Sequence, residues 1–274
     1  MIRKPIVSGS FYPSEEKELA EKVQGFLINE KKENVFGAIV PHAGYDFSGK
    51  TAGKIYSLIP EKKDFIILGV NHSGIGKKIS MSLEDFKTPL GIAKNNKGLG
   101  EEIFNKLKHS ELEVEFDENA HEQEHSIEVQ IPFLQNSQDR FKIVPILLKD
   151  LKYEECKKIA EIIEEFIDEN VCLIVSSDFT HYGKSYGFVK DGDAKQNIEK
   201  IDDMLIFEIL KKSSKSFFTR ALKSTVCGVY ALTIITEIAK IKNWKVEKIE
   251  YTNSGEVTGN WENVVGYAGI VFEL

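Results

Sequence analysis

The feature that most constrains the fold of this chain is a regular alternation between short apolar runs and longer amphipathic segments. Four runs have the length of a buried strand: VFGAIV at 35–40, DFIILGV at 64–70, FKIVPILL at 141–148 and VCLIVSSD at 171–178. Segments with helical periodicity lie at 14–31, 50–59, 153–170, 195–212 and 225–242, and two further strand candidates close the chain at 244–255 and 264–274. Such alternation predicts an α/β fold with a central, mostly parallel or mixed sheet and helices on both faces.

The length of the chain permits one large domain or two small ones. A chain of 274 residues lies between these cases, but no Pro-, Gly- or Ser-rich linker, charge block or repeat divides it. A single domain over residues 1–274 is therefore predicted. Pro145 interrupts one strand run, and because proline cannot donate a ladder hydrogen bond, an edge or a bulge is expected there.

Charge and hydropathy narrow the class of partner. The chain has 36 Lys and Arg against 43 Asp and Glu, a formal charge of -7, whereas nucleic-acid-binding proteins usually present a basic face. No apolar run approaches the roughly 18 to 20 residues that cross a bilayer, and MIRKPIVSGSFYPSEE lacks a secretory apolar core. We expect a cytoplasmic protein that binds neither nucleic acid nor a membrane.

Three histidines directly follow predicted strands. His42 lies just beyond FGAIV, His72 just beyond FIILGV, and His181 just beyond CLIVSSD, with Asp178 three residues ahead of it. Ligands of open α/β sheets bind outside the carboxyl ends of the strands, so these imidazoles can meet around one point. Taken alone, each could instead be bonded to nearby backbone. Asp178 is expected to hold the tautomer of a neighbouring imidazole.

The cysteines argue against a structural disulfide or zinc framework. There are 3, an odd number, and none forms a CxxC pair. Cys227 lies at the start of a predicted helix, where oriented N–H groups would stabilise the thiolate that binds metal or attacks carbon. Cys156 in a helix and Cys172 in a strand fit ordinary packing, which is also the alternative for Cys227.

The segment HEQEHSIEVQIPFL holds a second group of histidines and acids. It is not the HExxH motif of zinc proteases, because its acids stand at Glu122 and Glu124. Glu124 and His125 are expected to belong to the pocket, as acid/base or supporting groups. His121 and Glu128 are expected to form a solvated helix start or a cap.

Taken together and in order, PHAGY, GVNHSG, EHSIEVQIPFL, VSSDFTHYG, TVCG and VGYAG resemble the motifs of the Memo family. Its prokaryotic members are named AmmeMemoRadiSam system protein B. The resemblance runs from GSFYP at 9–13 to the last strand. The family resembles class III extradiol dioxygenases in fold, which implies a single α/β domain with a central sheet and helices on both sides.

The resemblance also implies a role for each candidate residue. The metal-site positions of the family fall on three residues of this sequence: His42, His72 and Cys227. The acid/base position of the related dioxygenases falls on His181, and Asp178 and Glu124 would line the same pocket.

The donor set of this pocket departs from that of the dioxygenases. Those enzymes hold Fe(II) with two histidines and one carboxylate, whereas the third donor here would be a thiolate. Two imidazoles and a thiolate suit copper, iron or zinc, and do not by themselves predict ring cleavage. The expected cofactor is Fe(II) or Cu, ahead of Zn.

Three functions fit these residues. The first is a metal-dependent, dioxygenase-like oxidoreductase or metal-binding protein that acts on a small aromatic or otherwise oxidisable molecule. The second is a metal-free hydrolase in which His181 deprotonates Cys227 and Asp178 orients the pair. The third is a non-catalytic module that binds a peptide or a partner protein; the prokaryotic family name implies partnership with a radical-SAM protein.

Overall fold

The computed structural model describes residues 1–274 as one twelve-stranded sheet with ten α-helices. The strands are β1 (Ile2–Arg3), β2 (Val35–Val40), β3 (Asp64–Val70), β4 (Ile79–Met81), β5 (Asp85–Thr88), β6 (Gly91–Asn95), β7 (Val114–Phe116), β8 (Lys142–Leu148), β9 (Val171–Ser176), β10 (His181–Gly183), β11 (Lys245–Asn253) and β12 (Asn263–Glu273). The helices are α1 (Glu16–Phe26), α2 (Tyr45–Leu58), α3 (Lys97–His109), α4 (Glu118–Glu122), α5 (Ile131–Ser137), α6 (Tyr153–Ile163), α7 (Ala194–Leu210), α8 (Ser214–Ala221), α9 (Val229–Ile241) and α10 (Ser254–Thr258). None of these helices has the length and apolar character that a membrane span requires.

The sheet is mixed, with a parallel centre. Neighbouring strands follow the order β1, β5, β6, β8, β3, β9, β2, β12, β10, while β11 pairs with β12, and β4 lies between β7 and β8. The central strands β8, β3, β9 and β2 are parallel, whereas β12 runs antiparallel to β2, β10 and β11. The predicted α/β class with a central mixed sheet is confirmed.

Side chains of the central strands alternate between two apolar layers, as the pleat of a strand requires. On β3, Phe65 and Ile67 pack with α1, α2 and α5, whereas Ile66 and Leu68 pack with α6 and α9. All four side chains are fully buried, and each contributes about 1.5–3 kcal/mol through burial. Helices therefore cover both faces of the sheet, as the alternating sequence predicts.

Pro145 lies in β8, inside the sheet, so the expectation of an edge position is wrong. β8 pairs with β3 through Pro145, but on its other side the partner changes from β6, at Lys142 and Ile143, to β4, at Ile146–Leu148. There the Pro145 carbonyl accepts a hydrogen bond from the Ser82 N–H at 3.3 Å. Since the N–H and C=O of a strand residue point to the same side, the missing donor falls where the ladder changes partner.

Predicted bounds are most accurate for the buried strands. β2 and β3 coincide with the predicted runs, but α1 ends at Phe26 instead of residue 31, and α2 begins at Tyr45 instead of residue 50. α1 and α2 can approach closely because Gly49 and Gly53 have no side chain. A Cβ atom at either position would lie 2.5 Å from Phe26. No predicted segment covers the strands β4, β5 and β6 or the helix α8, which are too short for a periodic signal, and none covers the longer helix α3.

Candidate metal centre

Three adjacent parallel strands end at the candidate site. β2 leads into His42, β3 into His72, and β9, which lies between them, into Asp178. The carboxyl ends of parallel strands lie at one edge of the sheet, where α/β proteins bind ligands. The rings of His42 and His72 accordingly lie 5.3 Å apart, centroid to centroid.

Cys227 joins the two histidines from the loop before α9. His42, His72 and Cys227 each offer one ligand atom, and these three atoms lie within 4.8 Å of one another. The sequence alone does not predict the distance between Cys227 and the two histidines. The fold thus brings together all three residues that the sequence suggested as metal ligands.

The hydrogen bonds around Ser176 fix the tautomer of His42. The Ser176 hydroxyl donates to the Ser126 carbonyl at 2.5 Å and accepts from Gln130 Nε2 at 2.8 Å. A serine hydroxyl has one proton and two acceptor sites, so the His42 Nδ1 atom at 3.2 Å must donate to it. Gln130 is itself fixed, because its Nε2 also donates to the Pro41 carbonyl. His42 therefore presents an unprotonated Nε2.

A carboxylate performs the same function for His72. His72 Nδ1 lies 3.0 Å from Glu124 Oε1, and the His72 backbone N–H donates to Glu124 Oε2 at 2.7 Å. Glu124 Oε1 also accepts from the backbone N–H groups of His125 and Ser126, each at 2.8 Å. Burial alone would raise the pKa of Glu124, but these hydrogen bonds lower it to about 2. An ionised Glu124 accepts a hydrogen bond from His72 Nδ1–H, so His72 also keeps Nε2 free.

The backbone holds Cys227 near the ends of the strands. The Cys227 N–H donates to the Asp178 carbonyl at 3.3 Å, and the Gly228 N–H donates to Ser177 Oγ at 2.9 Å. A Cβ on Gly228 would lie 2.6 Å from the Ser177 side chain. Only glycine permits this approach without movement of the loop.

The prediction that the helix start stabilises a Cys227 thiolate is wrong for the metal-free pocket. Burial raises the pKa of Cys227 well above its usual value, and the nearby carboxylates Asp178 and Glu124 raise it further. Desolvation and like charge oppose the thiolate more than the helix start favours it. A metal cation would reverse this balance, because coordination deprotonates a thiol. Cys156 and Cys172 are fully buried, as predicted for packing residues.

His181 lies beside the sulfur atom. Its Nε2 is 3.2 Å from Cys227 Sγ, and its backbone is tied to the same loop, since the His181 N–H donates to Thr225 Oγ1 at 3.0 Å and Thr225 Oγ1 donates to the His181 carbonyl at 2.5 Å. Burial lowers the pKa of His181. A neutral imidazole in this place can accept a proton from a bound molecule.

Asp178 contacts His42 in a way that the sequence did not predict. Its Oδ1 accepts the backbone N–H of His42 at 2.7 Å, and its Oδ2 lies 3.9 Å from His42 Nε2. Burial raises the pKa of Asp178. Ser176, which has no distinctive signal in the sequence, orients the His42 ring in its place.

The expectations for HEQEHSIEVQIPFL are met in part. His125 lines the cavity and stacks on His72, with ring centroids 5.0 Å apart. His121 and Glu128 are not solvated, however, because both are fully buried. His121 Nε2 lies 3.0 Å from the Ser80 carbonyl, and Glu128 pairs with Arg3 at 2.6 Å. The long separation between Arg3 and Glu128 hides this ion pair from sequence reasoning.

The converging side chains open into a cavity of about 770 Å³. Four aromatic residues form part of its wall: Phe11, Phe47, Tyr186 and Tyr267. Hydroxyl and amide groups form another part: Ser10, Ser254, Thr258, Asn260 and Asn263. No Lys or Arg is among the lining residues.

The donor set fits a transition metal. Burial lowers the pKa of His42 to about 3, so its ring stays neutral and its Nε2 lone pair is available at physiological pH. Both imidazoles are held through Nδ1, which is how proteins orient metal-binding histidines. His42, His72 and Cys227 would hold the ion. Glu124, whose oxygens already accept several N–H groups, is a supporting residue.

Comparison with known proteins agrees with this fold. The family model described as Memo-like protein matches residues 3–271. A MEMO1 family protein of Archaeoglobus fulgidus is 36% identical over 278 residues, which cover 100% of both chains. A MEMO1 family protein of Methanosarcina barkeri is 36% identical over 282 residues, covering 99% of this chain and 100% of that protein.

A solved structure supports the fold alone. The crystal structure of an uncharacterized protein from Escherichia coli K12 aligns with a TM-score of 0.57 and 11% identity, over 86% of this chain and 99% of that one. The identity is too low to transfer a function. The family model and the relatives cover nearly the whole chain, and on that evidence the protein belongs to the Memo family.

Proposed function

We propose that this protein binds a redox-active metal, Fe(II) or Cu, through His42, His72 and Cys227. The convergence of the three donor atoms within 4.8 Å carries the proposal. The orientation of both rings supports it, because each imidazole directs its Nδ1 to a partner and leaves Nε2 for the ion. Imidazole and thiolate donors together suit these metals by softness.

When bound, the metal supplies a Lewis acid and an electron-transfer centre in the cavity. The protein residues supply the remaining functions. His181 accepts or returns a proton at Nε2, the atom that faces Cys227 Sγ at 3.2 Å. Ser176 and Glu124 hold the two rings in place.

The lining of the cavity favours an uncharged aromatic or otherwise oxidisable substrate. Aromatic walls bind a flat apolar ring, and the hydroxyl and amide groups can bind its polar substituents. A volume of about 770 Å³ suits a small molecule. The absence of Lys and Arg from the wall disfavours phosphates and other anions, because the metal alone would offset their loss of hydration.

The test is metal content after anaerobic purification. We expect about one Fe or Cu per chain in the wild type, and loss of that metal in His42→Ala and Cys227→Ser proteins that remain folded by circular dichroism. Cys156→Ala is the matched control, since this cysteine is buried in α6. Stoichiometric metal in both site variants would refute the proposal.

One observation favours a second candidate, a metal-free cysteine nucleophile. The contact of 3.2 Å between Cys227 Sγ and His181 Nε2 is that of a Cys–His pair. Asp178, however, directs Oδ1 to the His42 backbone, and burial raises the pKa of the thiol.

Iodoacetamide separates the two candidates. Chelator-treated protein should react slowly at Cys227 at pH 7 if the site serves a metal, because the thiol is then protonated. Fast labelling at pH 7, together with a hydrolytic activity that disappears with it, would favour the nucleophile.

A further inference from the structure

The N-terminal segment, residues 3–12, packs against the turn that carries Glu124. We propose that Arg3 is a positioning residue for His72 and acts on it through Glu124. This inference rests on the proposed metal site, in which His72 is a ligand. It concerns a residue that no motif in the sequence marks and that lies outside the cavity wall.

The Arg3 guanidinium grips the turn at two backbone carbonyls. Its Nε donates to the His121 carbonyl at 2.9 Å, and its Nη2 donates to the Glu124 carbonyl at 2.6 Å. The Glu124 N–H also donates to the His121 carbonyl, at 3.3 Å, and the Gln123 N–H donates to the same carbonyl. α4 ends at Glu122, so no helix continues through Glu124. Arg3 therefore fixes the backbone from which the Glu124 side chain reaches His72.

Glu128 holds the guanidinium in this place. Its Oε2 accepts from Arg3 Nη1 at 2.6 Å, and the side chains of both residues are almost completely buried. Glu128 also accepts the backbone N–H groups of Ile6 and Val7 and the Tyr12 hydroxyl. A buried carboxylate with this many donors is fully paired, so the segment is fixed along its length.

The remaining contacts of the segment lead to the cavity. Phe11 lines it, and the Phe11 ring meets His125 edge to face at 4.9 Å. The Phe11 carbonyl accepts the Tyr45 N–H at the start of α2 at 2.8 Å. β1 by itself is a weak anchor, since it pairs with β5 at only Ile2 and Arg3. The bonds of Arg3 and Glu128 therefore bind the start of this segment to the site, and the contacts of Phe11 bind its end.

Lysine cannot reproduce the arrangement. Arginine has a planar fork that serves two carbonyls and a carboxylate at once, whereas an ammonium group is a point charge on a flexible stem. Arg3→Lys keeps the charge opposite Glu128 and loses the grip on both carbonyls. This variant therefore separates the neutralisation of Glu128 from the positioning of Glu124. We expect it to fold, because the buried ion pair with Glu128 is kept.

The experiment compares the wild type, Arg3→Lys and Phe217→Leu, the last being a fully buried change in α8 that serves as control for lost stability. Nitrogen-15 NMR of chelator-treated protein reports the tautomer of His72, and titration with Co²⁺ reports affinity. We expect His72 to be the Nδ1–H tautomer in the wild type and in the control. In Arg3→Lys we expect a mixture of tautomers and roughly tenfold weaker Co²⁺ binding, the lower end of the range for lost supporting contacts.

A wild-type tautomer with unchanged Co²⁺ affinity in Arg3→Lys would overturn the inference. So would an equal effect in Phe217→Leu, because general destabilisation would then explain both. Glu128→Gln is measured beside them, since it keeps the hydrogen bonds from Arg3 to the two backbone carbonyls and removes the ion pair. A disturbed His72 in Glu128→Gln with an intact one in Arg3→Lys would assign the effect to charge and also overturn the inference.

The metal proposal can fail separately. If wild-type protein binds no Co²⁺ while Arg3→Lys still changes the His72 tautomer in metal-free protein, the positioning function of Arg3 stands and the metal function falls. If Co²⁺ binds and the tautomer is the same in all variants, the metal function stands and the positioning function falls.

Discussion

At the scale of single residues, the hydrogen bond between Glu124 and His72 holds the ring of one proposed ligand. We expect Glu124→Gln to fold and to bind Co²⁺ about 10–100-fold more weakly, because an amide loses the charge that supports the His72 ring and cannot accept at both ends. Competition with a chelating dye measures the affinity. The control is Glu122→Gln, an exposed acid on the same segment, and equal affinities in the two variants would contradict the assigned role.

Sequence patterns identify the proposed metal ligands better than the residues that support them. His42 and His72 directly follow predicted strands and Cys227 lies at the start of a predicted helix, so the fold class allowed them to meet, although it did not give the strand order that brings them together. Ser176 and Arg3 contact residues that are far away in the sequence, and nothing in their local sequence reveals these partners. The same limit explains why His121 and Glu128 were expected at the surface: their burial depends on distant residues.

At the scale of elements, the start of α9 places the sulfur atom. Gly228→Ala would put a Cβ 2.6 Å from Ser177 and push the loop of Cys227 away from β9. We expect a loss of about 1–3 kcal/mol in the free energy of unfolding, with at least tenfold weaker Co²⁺ binding. Gly25→Ala in α1 is the control, since nothing lies within 4 Å of its Cβ. Intact Co²⁺ binding in Gly228→Ala would show that the close approach does not position Cys227.

α7 is attached to the segment of His181 by a buried carboxylate. Asp202 accepts the Thr180 N–H at 3.0 Å and the Tyr251 hydroxyl at 2.8 Å. Burial raises the pKa of Asp202 to about 6. The folded state therefore holds this proton more tightly than the unfolded chain, and the resulting stability is present below about pH 4 and is lost as the pH rises through 6.

Asp202→Asn should remove that dependence. Between pH 4 and pH 7 the wild type should lose about 1–3 kcal/mol of unfolding free energy relative to the variant, because only the wild type has this carboxyl group. Urea unfolding at several pH values measures it. Asp203→Asn, an exposed neighbour on α7, is the control for removing a carboxylate from the same helix. If the difference between Asp202→Asn and the wild type did not change with pH, the Asp202 carboxyl of the wild type would have the same pKa in the folded and unfolded states, which would contradict the prediction.

At the scale of the whole molecule, the alternation of apolar runs and helices was sufficient for the α/β class but not for the strand order. Each buried run can neighbour any other, and only tertiary packing places β9 between β2 and β3. That placement decides the site, because it brings the ends leading to His42 and His72 within one strand of each other. Short strands such as β4 and β7 derive their structure from their neighbours in the sheet and not from their own sequence.

Because the proposed ligands arise from separate strands and a loop, metal binding should stabilise the entire fold. An ion that binds only the folded state at about 1,000 times its Kd adds about 4 kcal/mol, or roughly 10 °C in Tm for a chain of this size. Differential scanning fluorimetry with Zn²⁺ or Co²⁺ should show this rise, and excess chelator should reverse it. Mg²⁺, which prefers oxygen ligands, should give none. The Tm of the double variant His42→Ala/Cys227→Ser should not rise with Zn²⁺ or Co²⁺. If it rose as much as that of the wild type, the stabilising ion would bind elsewhere.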